Sequence, residues 1–380
     1  MSARLNRRHL LQGTGLAALA AAGGGARAAE SDEAAILNHE PGMPYRRLGN
    51  TDIRLSVLSL GGIKIDEQGI THHHAIDRGC NLVHISNGYR GGVCIRRLGK
   101  VMKTKRDRVY IALKDNFLSR EDYRKRDFSK IDQWLKVLNT DHVDFLMFNR
   151  HKGDQAAEAY MRESLEILRE QGKVRFAGLT THGDIKNCLR NGIESGTFHL
   201  LNPALNQPNL EALEEELRDA HERQLGVMAM KTMKGQKSRA DELAFLKKLL
   251  RNPALTTILK GMDSPQMFDE YLAAARTELT AAEDERLYRT AQRQRAENCM
   301  MCDACKRACP EGIEISTVLR CKDYYLEQER DPEYAFEQYH AVAPQYRWSA
   351  DCTSCRRCEA ACPNGIGIVA RLEAARKALA

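Results

Sequence analysis

The sequence contains no run of about 18 consecutive apolar residues, the length a helix needs to cross a bilayer, so no integral membrane segment is expected in the mature chain. Charge of one sign is also scarce. The 58 lysines and arginines against 51 acids leave a formal +7 spread along 380 residues, too small and too even to indicate nucleic-acid binding by itself. No G-x-G-x-x-G follows the first strand pattern, which leaves a doubly wound dinucleotide-binding sheet only as a fallback. A flavin motif is missing too. With 43% hydrophobic and 29% charged positions, the chain can still bury a large core and support a second domain.

The charge excess is concentrated at the start. Arg7 and Arg8 precede a mild Gly/Ala-rich apolar stretch that ends in Ala26, Arg27, Ala28 and Ala29, the three ordered parts of a twin-arginine (Tat) export signal over residues 1–29. This predicts a periplasmic protein that folds, and takes up any cofactor, before translocation. Cleavage after Ala28 removes four of the 58 basic residues and none of the 51 acids, so the excess falls to +3.

From residue 45 to about 271, short β-branched or apolar runs alternate with longer amphipathic ones, as in parallel strands joined by helices. Eight strands are expected, at 57–60, 82–86, 109–114, 143–149, 174–180, 200–205, 227–232 and 256–260. Helical stretches such as 156–170, 210–223 and 241–251 lie between them. Eight βα units in this length predict an α/β fold of the (β/α)8 TIM-barrel type over 45–280, with the site at the strand C-terminal ends. A charged helical linker is expected at 281–297. The triplet from His72 to His74 reads as a polar helix end, and the charge-dense 120–130 stretch as a solvated helix start whose basic excess suits an acidic redox partner.

Nine of the 12 cysteines fall in the last 82 residues. Cys299, Cys302, Cys305 and Cys309 are followed by Pro310; Cys352, Cys355, Cys358 and Cys362, followed by Pro363, repeat the spacing at an offset of 53. Ala308, Gly312, Ile313 and Ile315 recur at the same offset as Ala361, Gly365, Ile366 and Ile368. Four thiolates in the C-x2-C-x2-C-x3-C-P pattern suit a cubane, and the repetition predicts two [4Fe–4S] clusters in a small helical ferredoxin-like domain over 298–380. Structural zinc and disulfides fit this spacing poorly. In two-cluster ferredoxins the fourth cysteine serves the other cluster. That rule pairs Cys299, Cys302 and Cys305 with Cys362, and Cys352, Cys355 and Cys358 with Cys309, although the spacing also permits self-contained runs. Cys321 is expected to be a buried thiol, and Cys80, Cys94 and Cys188 have no ligand spacing.

The barrel motifs are also familiar. YRRLGNTDIRLSVLSLGG at 45–62, GCNLVHISNGY at 79–89, RDRVYIALK at 106–114, GKVRFAGLT at 172–180 and GVMAMK at 226–231 resemble, in order, segments of aldo-keto reductases. The appended cysteine domain resembles an iron–sulfur branch of that family. The resemblance implies hydride transfer from NADP(H) to a carbonyl, with a tyrosine donating the proton and a lysine favouring its ionised form. By motif position these are Tyr89 and Lys114. His84 stands where the family has an aspartate and Asn149 where it has a histidine, so half of the tetrad is exchanged. A charged His84 would lower the lysine pKa. His151, two residues past Asn149, is expected to be a solvated loop residue.

The same resemblance implies nicotinamide contacts at Thr180, Thr181 and Asn202, and a dinucleotide phosphate segment beginning at Lys260. There Asp263, Met267 and Tyr271 replace the usual basic or small residue, Gln and Asn. An acid repels a 2′-phosphate, and methionine restores none of the lost hydrogen bonds. The leading reading is an exported oxidoreductase whose clusters relay electrons between a redox partner protein and a small-molecule substrate, such as a carbonyl compound, at the barrel top. Alternatives are an NADPH-dependent carbonyl reductase with structural clusters, which an exported location without free NADPH disfavours, and a non-enzymatic electron-transfer module.

Overall fold

A computed structural model describes residues 36–347 and 352–380; the export signal expected at 1–29 lies outside the described residues. Strands β1 (Tyr45–Arg47) and β2 (Arg54–Ser56) pair as an antiparallel hairpin. Eight parallel strands follow: β3 (Leu58–Gly61), β4 (Leu82–Ser86), β5 (Tyr110–Asp115), β6 (Val143–Asn149), β7 (Val174–Thr181), β8 (Leu200–Pro203), β9 (Gly226–Ala229) and β10 (Thr257–Lys260). They close in sequence order, β10 pairing with both β9 and β3, into a TIM barrel. Helices cover the outside, so nearly every strand position is buried and the strands read as continuous apolar runs.

The hairpin plugs the N-terminal face of the barrel. Leu48 is fully buried against Gly226 at the start of β9, and the Asn50 amide donates to the Gln224 carbonyl at 2.9 Å. Helix Val93–Lys105 packs on helix Ser129–Val137 through Gly99, where a Cβ would overlap the Val137 carbonyl, and the Asn139 amide donates to the Gly99 carbonyl at 2.7 Å. Overpacking of this kind costs about 1–3 kcal/mol. Gly99→Ala is therefore expected to lower the melting temperature of the loaded protein, whereas Gly367→Ala, with open space around its Cβ, is not; equal melting of the two variants would contradict this packing.

The C-terminal region carries the sequence repeat into the backbone. Met301 and Ser354, Asp303 and Arg356, and Gly312 and Gly365 all adopt positive φ, at 56 and 53°, 57 and 57°, and 65 and 66°. Each half places a short helix, Ala304–Arg307 or Arg357–Ala360, behind that left-handed residue. Between the halves, helix Ile315–Leu319 runs into the nine-residue π-helix Arg320–Gln328, an unusually long instance of a geometry often found at functional sites. The expected linker is helix Ala281–Arg293, closed at its N-terminus by a Thr280–Glu283 capping box. Helix Arg120–Lys125 starts with a Ser119 capping box, and ion pairs from Arg120 to Glu158 and from Lys130 to Asp122 support the solvated-helix reading.

Residues 298–334 lie over the C-terminal ends of the barrel strands. Lys234 Nζ donates to the Cys299 carbonyl at 2.9 Å, Gln328 Nε2 to the Met233 carbonyl at 2.6 Å, and Arg90 pairs with Asp331 at 2.5 Å. The barrel mouth is therefore roofed by the cysteine-bearing domain.

Candidate active site and cluster cysteines

Beneath that roof is a cavity of about 310 Å³. Its barrel wall carries His84 from β4, Lys114 from β5, Asn149 at the end of β6, and Tyr89, His151 and His182 from loops beyond the strands. Parallel pairing sets their levels: Ser86 lies opposite Lys114, and Asn149 opposite Thr180. The opposing wall is Arg320, Tyr324 and Tyr325 on the π-helix, with Tyr334 beyond it. A helix of i→i+5 turns brings residues 320, 324, 325 and 329 to one side, which an α-helical period does not.

The four residues at tetrad positions meet, but their chemistry differs from the family pattern. Burial, followed by the Arg320 charge, pulls Lys114 down from its ordinary range to about 7, and no acid contributes to this shift. Burial pushes the Tyr89 hydroxyl far above its usual pKa. The lysine Nζ lies 5.9 Å from the tyrosine ring centre, a cation–π distance that does not ionise the phenol. His84 is lowered to about 3, first by burial and then by Lys114, so it is neutral at pH 7. Its expected role as a like charge on Lys114 is thus corrected: burial and Arg320 depress the lysine.

His151 is not a solvated loop residue. Its Nδ1 accepts from the His182 amide at 3.1 Å, the two rings stand 4.9 Å apart, and burial holds both imidazoles well below their ordinary pKa. Buried atoms without hydrogen-bond partners include His84 Nε2, Asn149 Oδ1, His182 Nδ1 and Arg320 Nε, all from residues lining the cavity. Unmet polar groups of this kind are costly to leave dry and mark a place for a polar ligand. His72, expected at a polar helix end, is instead fully buried in helix Ile70–Asp77.

The nicotinamide positions do not join this set. Thr180 and Asn202 are fully buried; the threonine hydroxyl donates to Asn202 Oδ1 at 3.3 Å, and Asn202 Nδ2 donates to the Met228 carbonyl at 2.6 Å. Thr181 donates to the Gly183 carbonyl, and Lys260 stays half-buried at the end of β10, outside the cavity wall. Asp263 pairs with Lys64 at 3.5 Å, and Lys64 also reaches Glu329 at 3.6 Å. The Tyr271 hydroxyl donates to Glu242 at 2.7 Å. With these groups engaged and the roof in place, the residues present do not fit a nicotinamide dinucleotide.

The cysteines fall into two neighbourhoods. Cys309, Cys352, Cys355 and Cys358 line one small pocket with Ile313, Ile315 and Val369. Around the other run, burial raises the Cys302 thiol, and the neighbouring Cys299 and Cys362 add to the rise. Cys305 likewise feels Cys299 and Cys302. Four cysteines in each neighbourhood suit a four-iron cluster, and the neighbourhoods cross between the two runs. All 12 cysteines are free of disulfides, and Cys80, Cys94, Cys188 and Cys321 are buried.

Sequence reasoning missed Arg320, Tyr324, Tyr325, Tyr334 and Lys231. Lys231 lies 3.9 Å from the Tyr324 ring centre and donates to the Tyr325 hydroxyl at 3.0 Å. The density of tyrosines at 324, 325 and 334 was the only local signal.

Comparison with known proteins agrees with both parts. Residues 59–242 match the family model described as the aldo/keto reductase family, and residues 295–366 that of a 4Fe-4S dicluster domain. The aldo-keto reductase YhdN of Bacillus subtilis (strain 168) is 29% identical over 159 residues, which are 36% of this chain and 47% of that protein. The match therefore spans about half the length of that curated relative. Aldo-keto reductase AKR11C1 from Bacillus halodurans, solved in its holo form, superposes with a TM-score of 0.55 at 18% identity, covering 65% of this chain and 96% of its own. PA4992 from Pseudomonas aeruginosa, assigned to the same reductases, gives 0.51 at 20% identity over 61% of this chain and 94% of its own. At these identities the likeness shows the fold. Residues 59–242 thus resemble an aldo/keto reductase domain and residues 295–366 a 4Fe-4S dicluster domain.

Proposed function

We propose that the chain is a Tat-exported, periplasmic oxidoreductase that moves electrons between a redox partner protein and a small carbonyl substrate in the roofed cavity. One cluster would be held by Cys299, Cys302, Cys305 and Cys362, the other by Cys352, Cys355, Cys358 and Cys309. When bound, these clusters supply single-electron transfer. Reduction of a carbonyl to an alcohol takes up two electrons, drawn from the partner protein, and two protons. The observation that carries the reading is the shared wall: the π-helix between the two cysteine runs faces Tyr89 and Lys114 across one cavity.

Lys114 is the group suited to exchange a proton. Near pH 7 both of its protonation states are populated, whereas Tyr89 holds its proton too firmly. Tyr89 instead sets shape, edge-on to Tyr334 with ring centres 6.1 Å apart. Asn149 Nδ2 donates to Asn116 Oδ1 at 2.8 Å, which leaves the Asn149 oxygen toward the cavity as an acceptor for a hydroxyl. The tyrosines narrow the access of water to the reacting centre without closing it off.

The test is donor choice. Reduced methyl viologen should support reduction of small carbonyl compounds by the loaded protein, and NADPH should not. A comparable NADPH-driven rate would overturn the reading. Replacing both Arg7 and Arg8 by Lys should retain the protein in the cytoplasm; unchanged periplasmic accumulation would remove the export proposal.

A further inference from the structure

The cavity has an unbalanced charge. Lys114, Lys231 and Arg320 line it, and each depresses or repels another: Arg320 acts on both lysines, and Lys114 acts on Lys231. Of its acids, Asp331 pairs with Arg90 at 2.5 Å, and Glu329 is shared between Lys64 at 3.6 Å and Lys231, whose charge it only partly offsets. Lys231 leans on neutral tyrosines, and Arg320 Nε is buried without a hydrogen-bond partner. Arg320 is a fixed cation, and burial beside it disfavours the charged forms of Lys114 and Lys231; an anion in the same space favours all three charges.

The adjoining groove shows the contrast. At about 640 Å³ it is larger and also basic, yet Arg239 pairs with Glu242 at 2.6 Å and Arg371 with Asp323 at 3.0 Å, while Lys322 pairs with Glu327. Most of its charge is met within the protein. The barrel-top cavity differs in gathering Arg320, Lys114 and Lys231 around several orphaned polar atoms, His84 Nε2, Asn149 Oδ1, His182 Nδ1 and Arg320 Nε.

Resting on the carbonyl reading above, we propose that the substrate is a 2-oxo acid whose carboxylate is held by Arg320 and whose adjacent ketone faces Lys114. The volume, at the lower end of ligand sites, sets a small molecule. A guanidinium accepts a planar carboxylate through paired N–H donors, and the free Nε is one of the required donors. His84 and His182, neutral and incompletely bonded, can donate to or accept from the remaining oxygens. Arg320 then sets substrate choice from the cluster domain, while the barrel supplies the proton.

Calorimetric titration of the oxidised, cluster-loaded protein tests this without turnover. Pyruvate is the probe, and pyruvamide is the neutral comparison of similar shape. Pyruvate should bind saturably and at least about tenfold more tightly than the amide, the scale of one charge-assisted bond. Arg320→Gln should erase that preference at unchanged iron content, and Arg320→Lys should restore part of it. Equal affinities in the unaltered protein, no saturable pyruvate binding at millimolar concentration, or a preference that survives Arg320→Gln would each overturn the proposal. The unaltered-protein comparison decides the matter if a variant fails to fold. Failure here together with cluster oxidation by the amide would reject the substrate class and leave the electron-relay reading standing.

Discussion

Cys355→Ser is expected to lower bound iron from about eight toward about four atoms per chain and to abolish dye-driven turnover. The more discriminating result concerns the fourth cysteines. Cys309 lines the pocket of Cys352, Cys355 and Cys358, while Cys362 adds to the burial-driven rise of the Cys302 thiol. Cys309→Ser should therefore perturb the same electron paramagnetic resonance signal as Cys355→Ser, although it belongs to the other sequence run. Cys362→Ser should match Cys302→Ser. If Cys309→Ser instead matched Cys302→Ser, the runs would be self-contained and the crossed ligand sets wrong. Cys321→Ser, outside both neighbourhoods, should leave iron and signals intact.

Lys114→Met should slow carbonyl reduction by about 10²–10⁴-fold with iron content unchanged, the usual scale for loss of a general acid. The pH dependence gives the sign. Because its pKa lies at about 7, the proton-donating form of Lys114 declines as pH rises through that value, so reduction should fall above neutrality. That limb should be absent from Lys114→Met. Tyr89→Phe should cost far less, since burial keeps the phenol protonated and its contribution is shape. A greater loss from Tyr89→Phe than from Lys114→Met would restore the family's proton donor and contradict the assignment. Linkage adds an independent readout. The unfolded chain keeps the lysine proton to about 10.4, so the penalty that burying this residue places on folding is full below about pH 7 and is relieved as pH rises from there toward about 10.4.

The barrel was legible because its strands are buried on both faces and therefore spell uninterrupted apolar runs; 82–86 and 143–149 coincide with β4 and β6. The cysteine domain was legible for a different reason: its offset of 53 recurs as paired left-handed residues, so spacing and backbone carry the same repeat. Tyr89, Lys114, His84 and Asn149 were placed together correctly by strand-end position. Their protonation was not, because it depends on burial beneath a domain some two hundred residues away. The same roof explains His151, whose loop position suggests solvent and whose surroundings leave it only partly exposed. Motif position alone does not reveal that Thr180 and Asn202, side by side at strand ends, bond to each other. Arg320 was hidden by helix type: a π-helical turn aligns it with Tyr324 and Tyr325 where an α-helical reading scatters them.

The central claim is that electrons held on the clusters reach a substrate in the barrel cavity. Stopped-flow absorbance of anaerobically reduced, cluster-loaded protein, mixed with small aldehydes, ketones and 2-oxo acids, measures this in a single turnover. The account predicts that a carbonyl compound reoxidises both clusters as alcohol forms, and that Lys114→Met slows this without altering the clusters. Clusters that stay reduced with every carbonyl compound, while NADPH drives carbonyl reduction at an undiminished rate, would contradict it.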